Sequence, residues 1–186
     1  MIVEVYFFGG YLATEPQMHD WAATAKAQQA GIDFTAYHWH EKDKEEKAIA
    51  AIKASRADAI YIVGHSSGCA NANAVDRAAV GTGKGLVDPN KVRLVALDGF
   101  VPDGTQLGRP NTQVWSALGP NDEPSWNYDK LKYLGARLTI NYSPWCTRKW
   151  PLHFSLVNAN ATDGLVKEGA HLTTGYDGCK AFLKWL

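Results

Sequence analysis

Apolar runs alternate with alanine-rich or charged segments along the whole chain. The apolar runs are rich in Val, Ile, Tyr and Phe and predict β-strands, whereas the segments between them predict helices. The predicted strands cover residues 2–8, 32–39, 59–64, 92–98, 112–118 and 137–143. The predicted helices cover residues 15–30, 41–55, 67–79 and 176–186. This alternation indicates an α/β fold in three α/β/α layers, with a mostly parallel sheet of about six strands.

Length and composition indicate one domain that spans residues 1–186. A chain of 186 residues with 46% hydrophobic content is long enough to bury a full core. Its 19 basic and 19 acidic residues cancel, and no basic stripe appears, so we expect no nucleic-acid partner. Three cysteines are too few for a disulfide scaffold, although Cys146 and Cys179 could pair and leave Cys69 free. Their spacing does not match a zinc site, and we expect neither a metal nor a cofactor.

The first residues, MIVEVYFFGG, lack the basic start and the long apolar stretch of a signal peptide. No apolar run elsewhere approaches the ~20 residues that a membrane-spanning helix needs. We therefore expect no membrane span and a cytoplasmic location, with a trimmed secreted form as the alternative. The oligomeric state is left open.

One short motif links the third predicted strand to the helix after it. Residues 64–68 read Gly-His-Ser-Ser-Gly, after an apolar run and before an alanine-rich segment. In that context, G-x-S-x-G is typical of a nucleophile elbow, a tight turn that exposes a serine at the carboxyl end of a parallel sheet. We predict that Ser66 is a nucleophile with a strained backbone, and that a side chain at position 64 or 68 would crowd the neighbouring strand and helix. The alternative is a glycine-rich turn without catalytic function.

A serine nucleophile needs a histidine base and an acid that orients this histidine. Asp98 ends the strand that follows the elbow strand, and we favour it as the acid. Asp122, in a G-x-x-D turn after the next strand, is the alternative. His153 lies in the return loop beyond the last strand and is favoured as the base, with His171 as the alternative. His65, inside the elbow, is predicted to pack beside the sheet.

The oxyanion formed on ester cleavage needs two backbone N–H donors. Ser67, the residue after the nucleophile, is predicted to supply one of them. Gly9 and Gly10 follow the first strand and allow the backbone to turn close to the serine. We predict that the second donor is the amide of Gly10 or Tyr11, and that a flexible strand exit is the alternative.

These residues resemble the α/β-hydrolase superfamily, and most closely the thioesterase domains of polyketide and nonribosomal peptide synthases. The similarity rests on GHSSG at residues 64–68, LDGFVPDG at 97–104 and HFSLV at 153–157. It implies Ser66 as nucleophile, Asp98 as acid and His153 as base. It also implies the strand order 2-1-3-4-5-6, because the chain starts at the strand that carries the oxyanion loop.

The chain departs from those thioesterases in one segment. They insert a helical lid after the acid strand, and here only residues 99–111 fill that gap. We therefore expect an open cleft and a small-molecule ester or thioester as substrate. The predicted activity is a serine esterase or thioesterase that works through an acyl-enzyme. An acyltransferase with the same triad and a non-catalytic binding module that keeps the turn are the alternatives.

Overall fold

The computed structural model of the chain describes residues 2–10, 31–97, 112–116 and 136–141, together with Glu15, Pro16, His19 and Ala23. In these residues the strands and helices are β1 (Val3–Phe8), β2 (Ile32–Tyr37), α1 (Lys44–Ala54), β3 (Ala59–His65), α2 (Gly68–Ala79), β4 (Val92–Leu97), β5 (Thr112–Ser116) and β6 (Ala136–Asn141). Glu15, Pro16, His19 and Ala23 are helical, which agrees with the predicted helix over residues 15–30. The predicted helix over residues 176–186 lies outside the described residues.

The six strands form one sheet in the order β2-β1-β3-β4-β5-β6. Every neighbouring pair is parallel. The predicted α/β class, the parallel sheet and its strand order are therefore confirmed, and the topology is of the α/β-hydrolase type. Because the chain passes from β2 across β1 to β3 and onward to β4, right-handed crossovers place α1 and α2 on the same face of the sheet.

The burial of each strand follows its place in the sheet. All seven residues of β3 are buried, as expected of a central parallel strand covered on both faces. Over the first five residues of β2, half-buried residues alternate with exposed ones, which fits its position at the edge of the described sheet. The candidate nucleophile therefore follows the most deeply buried strand of the described chain.

The main hydrophobic core lies between the sheet and its two described helices. Its members from the helices are Ala48, Ile52, Ala72, Val75 and Ala79, and those from the central strands are Tyr6, Phe8, Ile60, Ile62, Val92 and Leu94. On the opposite face, Val5, Phe7, Tyr61 and Val63 are at most 1% exposed, so that face is covered as well. The described helices include none that is long and apolar enough to cross a membrane.

The connection from β2 to α1 is longer than the sequence predicts. The strand ends at Tyr37 and not at residue 39, and the helix begins at Lys44 and not at residue 41. The backbone turns because the Glu41 N–H donates to the His38 carbonyl at 3.3 Å. Lys44 holds this turn: its Nζ donates to the Trp39 carbonyl at 2.9 Å and lies 5.4 Å from the centre of the Trp39 ring. Burial lowers the pKa of the Lys44 ammonium.

Candidate active site

Ser66 is the first residue after β3, and its backbone has the left-handed conformation. Its φ is 54°, which is unusual for a residue that carries a β-carbon. This agrees with the strain that the elbow motif predicts. The residue is partly exposed and directly follows the carboxyl end of a strand that is buried throughout. The sharp turn therefore presents the Ser66 hydroxyl at the edge where the ends of the parallel strands meet.

The two glycines that flank the elbow are required by close backbone packing. A β-carbon at Gly64 would lie 2.5 Å from the Cα and 2.7 Å from the backbone nitrogen of Cys69, in the first turn of α2. A β-carbon at Gly68 would overlap the Phe8 carbonyl and would lie 2.7 Å from the Gly9 carbonyl oxygen. All of these atoms belong to the backbone, which cannot move aside as a flexible side chain can. The glycines thus let β3, α2 and the end of β1 meet around Ser66.

The segment after β1 lies against the elbow from the other side. Gly9 donates its N–H to the Tyr37 carbonyl at 3.0 Å, so that amide extends the pairing of β1 with β2. Gly10 is buried, and a β-carbon on it would lie 2.8 Å from both the Ser66 β-carbon and the His65 carbonyl oxygen. Because the Gly9 amide is already engaged, the predicted oxyanion donors are the amides that follow it. Gly10 thus lies beside Ser66, the candidate nucleophile.

Ser67 occupies the N-cap position of α2. Its φ of −63° and ψ of −21° are helical, and its side chain makes no capping hydrogen bond. In the first turn of α2 the Cys69 and Ala70 N–H groups donate to the Ser66 and Ser67 carbonyls at 3.1 Å. The aligned peptide dipoles favour negative charge at this end of a helix. The first turn of α2 contains no acidic residue that would offset this field. The helix start therefore suits an oxyanion formed next to Ser66.

The Ser67 side chain carries the one buried side-chain oxygen or nitrogen without a hydrogen-bond partner among the described residues. Leaving such a group unpaired costs about 1–3 kcal/mol. The sequence did not reveal this feature, because serine before a helix normally caps it.

His65 and Cys69 pack on the buried side of the turn. His65 is 4% exposed, and its Nδ1 lies 3.4 Å from the position that a Gly10 β-carbon would take. Cys69 is 2% exposed and donates its Sγ–H to the Gly64 carbonyl at 3.1 Å. This thiol bond joins the end of β3 to the first turn of α2 across the elbow. Sequence reasoning treated Cys69 only as a free thiol and missed this role.

A side-chain hydrogen bond ties the start of α1 to α2. Asn71 Nδ2 donates to Glu45 Oε1 at 2.5 Å, and both residues lie within the first turns of their helices. The bond fixes the two helix starts relative to each other at the carboxyl edge of the sheet. The N-terminal turn of α2, which carries the elbow, is therefore held from two sides, by β1 and by α1.

The remaining predicted site residues, Tyr11, Asp98 and His153, lie outside the described residues, as do Asp122, His171, Cys146 and Cys179. The described strand that leads to Asp98 is informative, because Leu97 is in register with His65 in the β3–β4 pair. In the sequence, Asp98 directly follows Leu97, and Ser66 directly follows His65. Among the described residues, no cluster of three or more His, Cys, Asp or Glu could hold a metal ion.

Comparison with known proteins adds little to this geometry. No protein-family model matches the sequence, and no curated protein matches it. A solved structure described as a YdeN-like hydrolase from Pectobacterium atrosepticum is 13% identical, with a TM-score of 0.49 over 90% of this chain and 86% of that one. A cutinase-like protein from Cryptococcus sp. is 11% identical, with a TM-score of 0.40 over 82% of this chain and 80% of that one. The case for the site therefore rests on the geometry of the chain itself.

Proposed function

We propose that this chain is a serine hydrolase that cleaves carboxylic esters or thioesters through an acyl-enzyme on Ser66. One observation carries the proposal: Ser66 keeps a φ of 54° at the end of the central buried strand, with the Gly10 backbone against its side chain. The left-handed conformation costs a residue with a β-carbon about 1–2 kcal/mol. A turn that served only the fold would be more stable with glycine at this position. A serine whose hydroxyl is needed at this point accounts for the strain.

His153 is our proposed base and Asp98 our proposed acid. The register of Leu97 with His65 supports Asp98, because Asp98 follows Leu97 in the sequence as Ser66 follows His65. Asp122 and His171 remain the alternatives for the two roles.

The reaction uses these groups in two steps. In the first, the histidine takes the proton of the Ser66 hydroxyl while Oγ attacks the substrate carbonyl carbon, and the electron pair of the carbonyl moves to oxygen. The N–H of Ser67 and the N–H of Gly10 or Tyr11 stabilise this oxyanion. Its collapse expels the alcohol or thiol, which takes the proton from the histidine. In the second step, water attacks the acyl-enzyme in the same way and releases the acid and free Ser66.

A fluorophosphonate probe tests the proposal without knowledge of the natural substrate. We expect the wild type to gain the mass of one phosphonyl group, located on the peptide that contains Ser66, and to hydrolyse a short-chain p-nitrophenyl ester. Ser66→Ala should abolish both. Ser55→Ala is the matched control, because the Ser55 hydroxyl accepts the Ala57 N–H at 3.0 Å, outside the site, and it should leave labelling unchanged. A wild type that neither labels nor hydrolyses, or a Ser66→Ala variant that still does, would contradict the proposal.

A further inference from the structure

The Ser67 hydroxyl is buried at the elbow and, in the described part of the chain, has no hydrogen-bond partner. Buried hydroxyls in folded proteins are nearly always paired, so an orphan beside a candidate active site needs an explanation. Capping of α2 does not provide it, because the helical backbone angles of Ser67 leave its side chain without a cap bond. The hydroxyl thus stabilises nothing in the free protein that the structure shows.

The covalent geometry of Ser67 allows this hydroxyl to reach the predicted oxyanion. Oγ is three bonds from the amide nitrogen of the same residue, so in a gauche rotamer the O–H and the N–H can reach one acceptor. The residue as a whole is partly exposed although Oγ is buried. Rotation about the Cα–Cβ bond therefore moves the oxygen from its dry position toward the open side of the residue.

We propose that Ser67 supplies two donors to the oxyanion: its backbone N–H and, after this rotation, its Oγ–H. The inference rests on the proposed serine hydrolase function. The hydroxyl is unpaired in the free protein and gains a charged acceptor only when the tetrahedral intermediate forms. An interaction that is stronger in the transition state than in the ground state is the kind that raises the rate. Ser67 is thus a catalytic residue through its side chain as well as its backbone.

The test is a graded series at position 67 with a short-chain p-nitrophenyl ester. We expect Ser67→Ala to lower kcat by at least about tenfold with little change in KM, since one hydrogen bond from a hydroxyl to the charged oxyanion is lost. The kcat of Ser67→Cys, whose side chain is similar in size but a weaker donor, should fall between those of the wild type and Ser67→Ala. The inhibition constant of a short-chain alkyl trifluoromethyl ketone, which forms a tetrahedral adduct with serine, should rise by the same factor as kcat falls.

Stability measurements separate this role from a structural one. Ser67→Ala should unfold in urea at the same or a higher midpoint than the wild type, because it removes an unpaired group. Ser55→Ala, which removes a paired hydroxyl, should lower the midpoint and leave kcat unchanged. A Ser67→Ala variant whose kcat equals that of the wild type, or whose loss of kcat matches a loss of folded protein, overturns the inference. Failure of the proposed function is distinct, because the wild type would then take up no fluorophosphonate, whereas Ser67→Ala should still label to one group per chain.

Discussion

Gly10 and Ser66 are in direct contact: a β-carbon on Gly10 would lie 2.8 Å from the β-carbon of Ser66. Unbonded carbon atoms are at their best separation at about 3.5–4.0 Å, so this space holds a glycine and nothing larger. The segment that follows β1 and the turn that follows β3 therefore fit each other at one point. A shift in either segment changes the environment of the candidate nucleophile.

We predict that Gly10→Ala lowers kcat/KM for a p-nitrophenyl ester by at least about 10²-fold, the loss typical of one oxyanion donor. The added methyl group pushes the segment away from Ser66 and with it the amides that follow Gly9. Gly83→Ala is the control, because the nearest contact of its methyl group would be the flexible end of the Leu86 side chain, at 3.3 Å. Steady-state kinetics of the two variants test this prediction. Equal kcat/KM values for Gly10→Ala and Gly83→Ala would contradict an oxyanion role for the segment after β1.

The backbone conformation of Ser66 predicts the relative stability of two inactive variants. Ser66→Gly should be about 1 kcal/mol more stable than Ser66→Ala, since only alanine keeps the strained β-carbon at a φ of 54°. The opposite order is expected at Ala74, an exposed residue within α2, where Ala74→Gly should cost about 1 kcal/mol. Urea unfolding measures both differences. If glycine were the less stable choice at position 66, the elbow would not be strained.

The proposed triad predicts the ranking of four substitutions. His153→Ala should lower kcat by about 10³-fold or more, because loss of the base removes most of the activation of the nucleophile, and His171→Ala should cost far less. Asp98→Asn should lower kcat by orders of magnitude with little change in KM, because an amide favours the wrong histidine tautomer. Asp122→Asn should be nearly neutral. A reversed ranking in either pair would assign that role to the alternative residue.

The buried tyrosines at the β1–β2 edge predict a loss of stability in alkali. Burial, with a smaller contribution from the charge of Glu41, raises the pKa of Tyr37 from 10.0 to about 12. The pKa of Tyr6 is also raised, by burial and by its hydrogen bond to Glu4. A raised folded-state pKa stabilises the fold fully below about pH 10, and this contribution is lost as the pH rises through about 12. Tyr37→Phe should therefore reduce the fall in unfolding free energy between these pH values, as followed by urea unfolding, and unchanged slopes would contradict this.

The burial of Cys69 predicts that its thiol is unreactive in the folded protein. It is 2% exposed and engaged with the Gly64 carbonyl. Iodoacetamide should leave the peptide that contains Cys69 unmodified under native conditions and should alkylate it in urea. Ester hydrolysis should survive the native treatment. Loss of activity in step with alkylation of Cys69 would point to a cysteine nucleophile and away from Ser66.

The fold was largely predictable because each strand is a distinct segment rich in β-branched or aromatic residues. The apolar residues of β3 are consecutive, with no alternating polar position. This pattern is typical of a strand that is buried on both faces of a parallel sheet. The connection from β2 to α1 was not predictable to the residue. The apolar pattern of β2 continues through Trp39, so the sequence places the end of the strand too late. The contacts of Lys44 with Trp39 depend on a turn that no local pattern specifies. Boundaries that long side chains set across a loop do not show in hydrophobic periodicity.

The elbow was predictable for a different reason: its glycines are required by backbone contacts, so the residue types themselves report the geometry. The Gly9 amide illustrates the limit. The pair Gly9–Gly10 indicated a turn near the site, but only the bond to Tyr37 shows that the first of the two amides belongs to the sheet. The orphan hydroxyl of Ser67 was equally hidden, since serine at a helix start is the commonest capping residue. Hydrogen-bond partners that lie far apart in the chain cannot be read from one sequence.

The bond between Gly9 and Tyr37 has a practical consequence for anyone who engineers this protein. It makes the edge strand part of the scaffold that holds the catalytic segment, although β2 is two strands away from Ser66 in the sheet. An inserted tag, a loop graft or a crosslink between residues 38 and 43 would thus act on turnover at a distance from the substrate. Fusion sites and immobilisation chemistry are better directed to the loop over residues 81–86, which contains the exposed Leu86. The whole length of α2 separates this loop from the elbow.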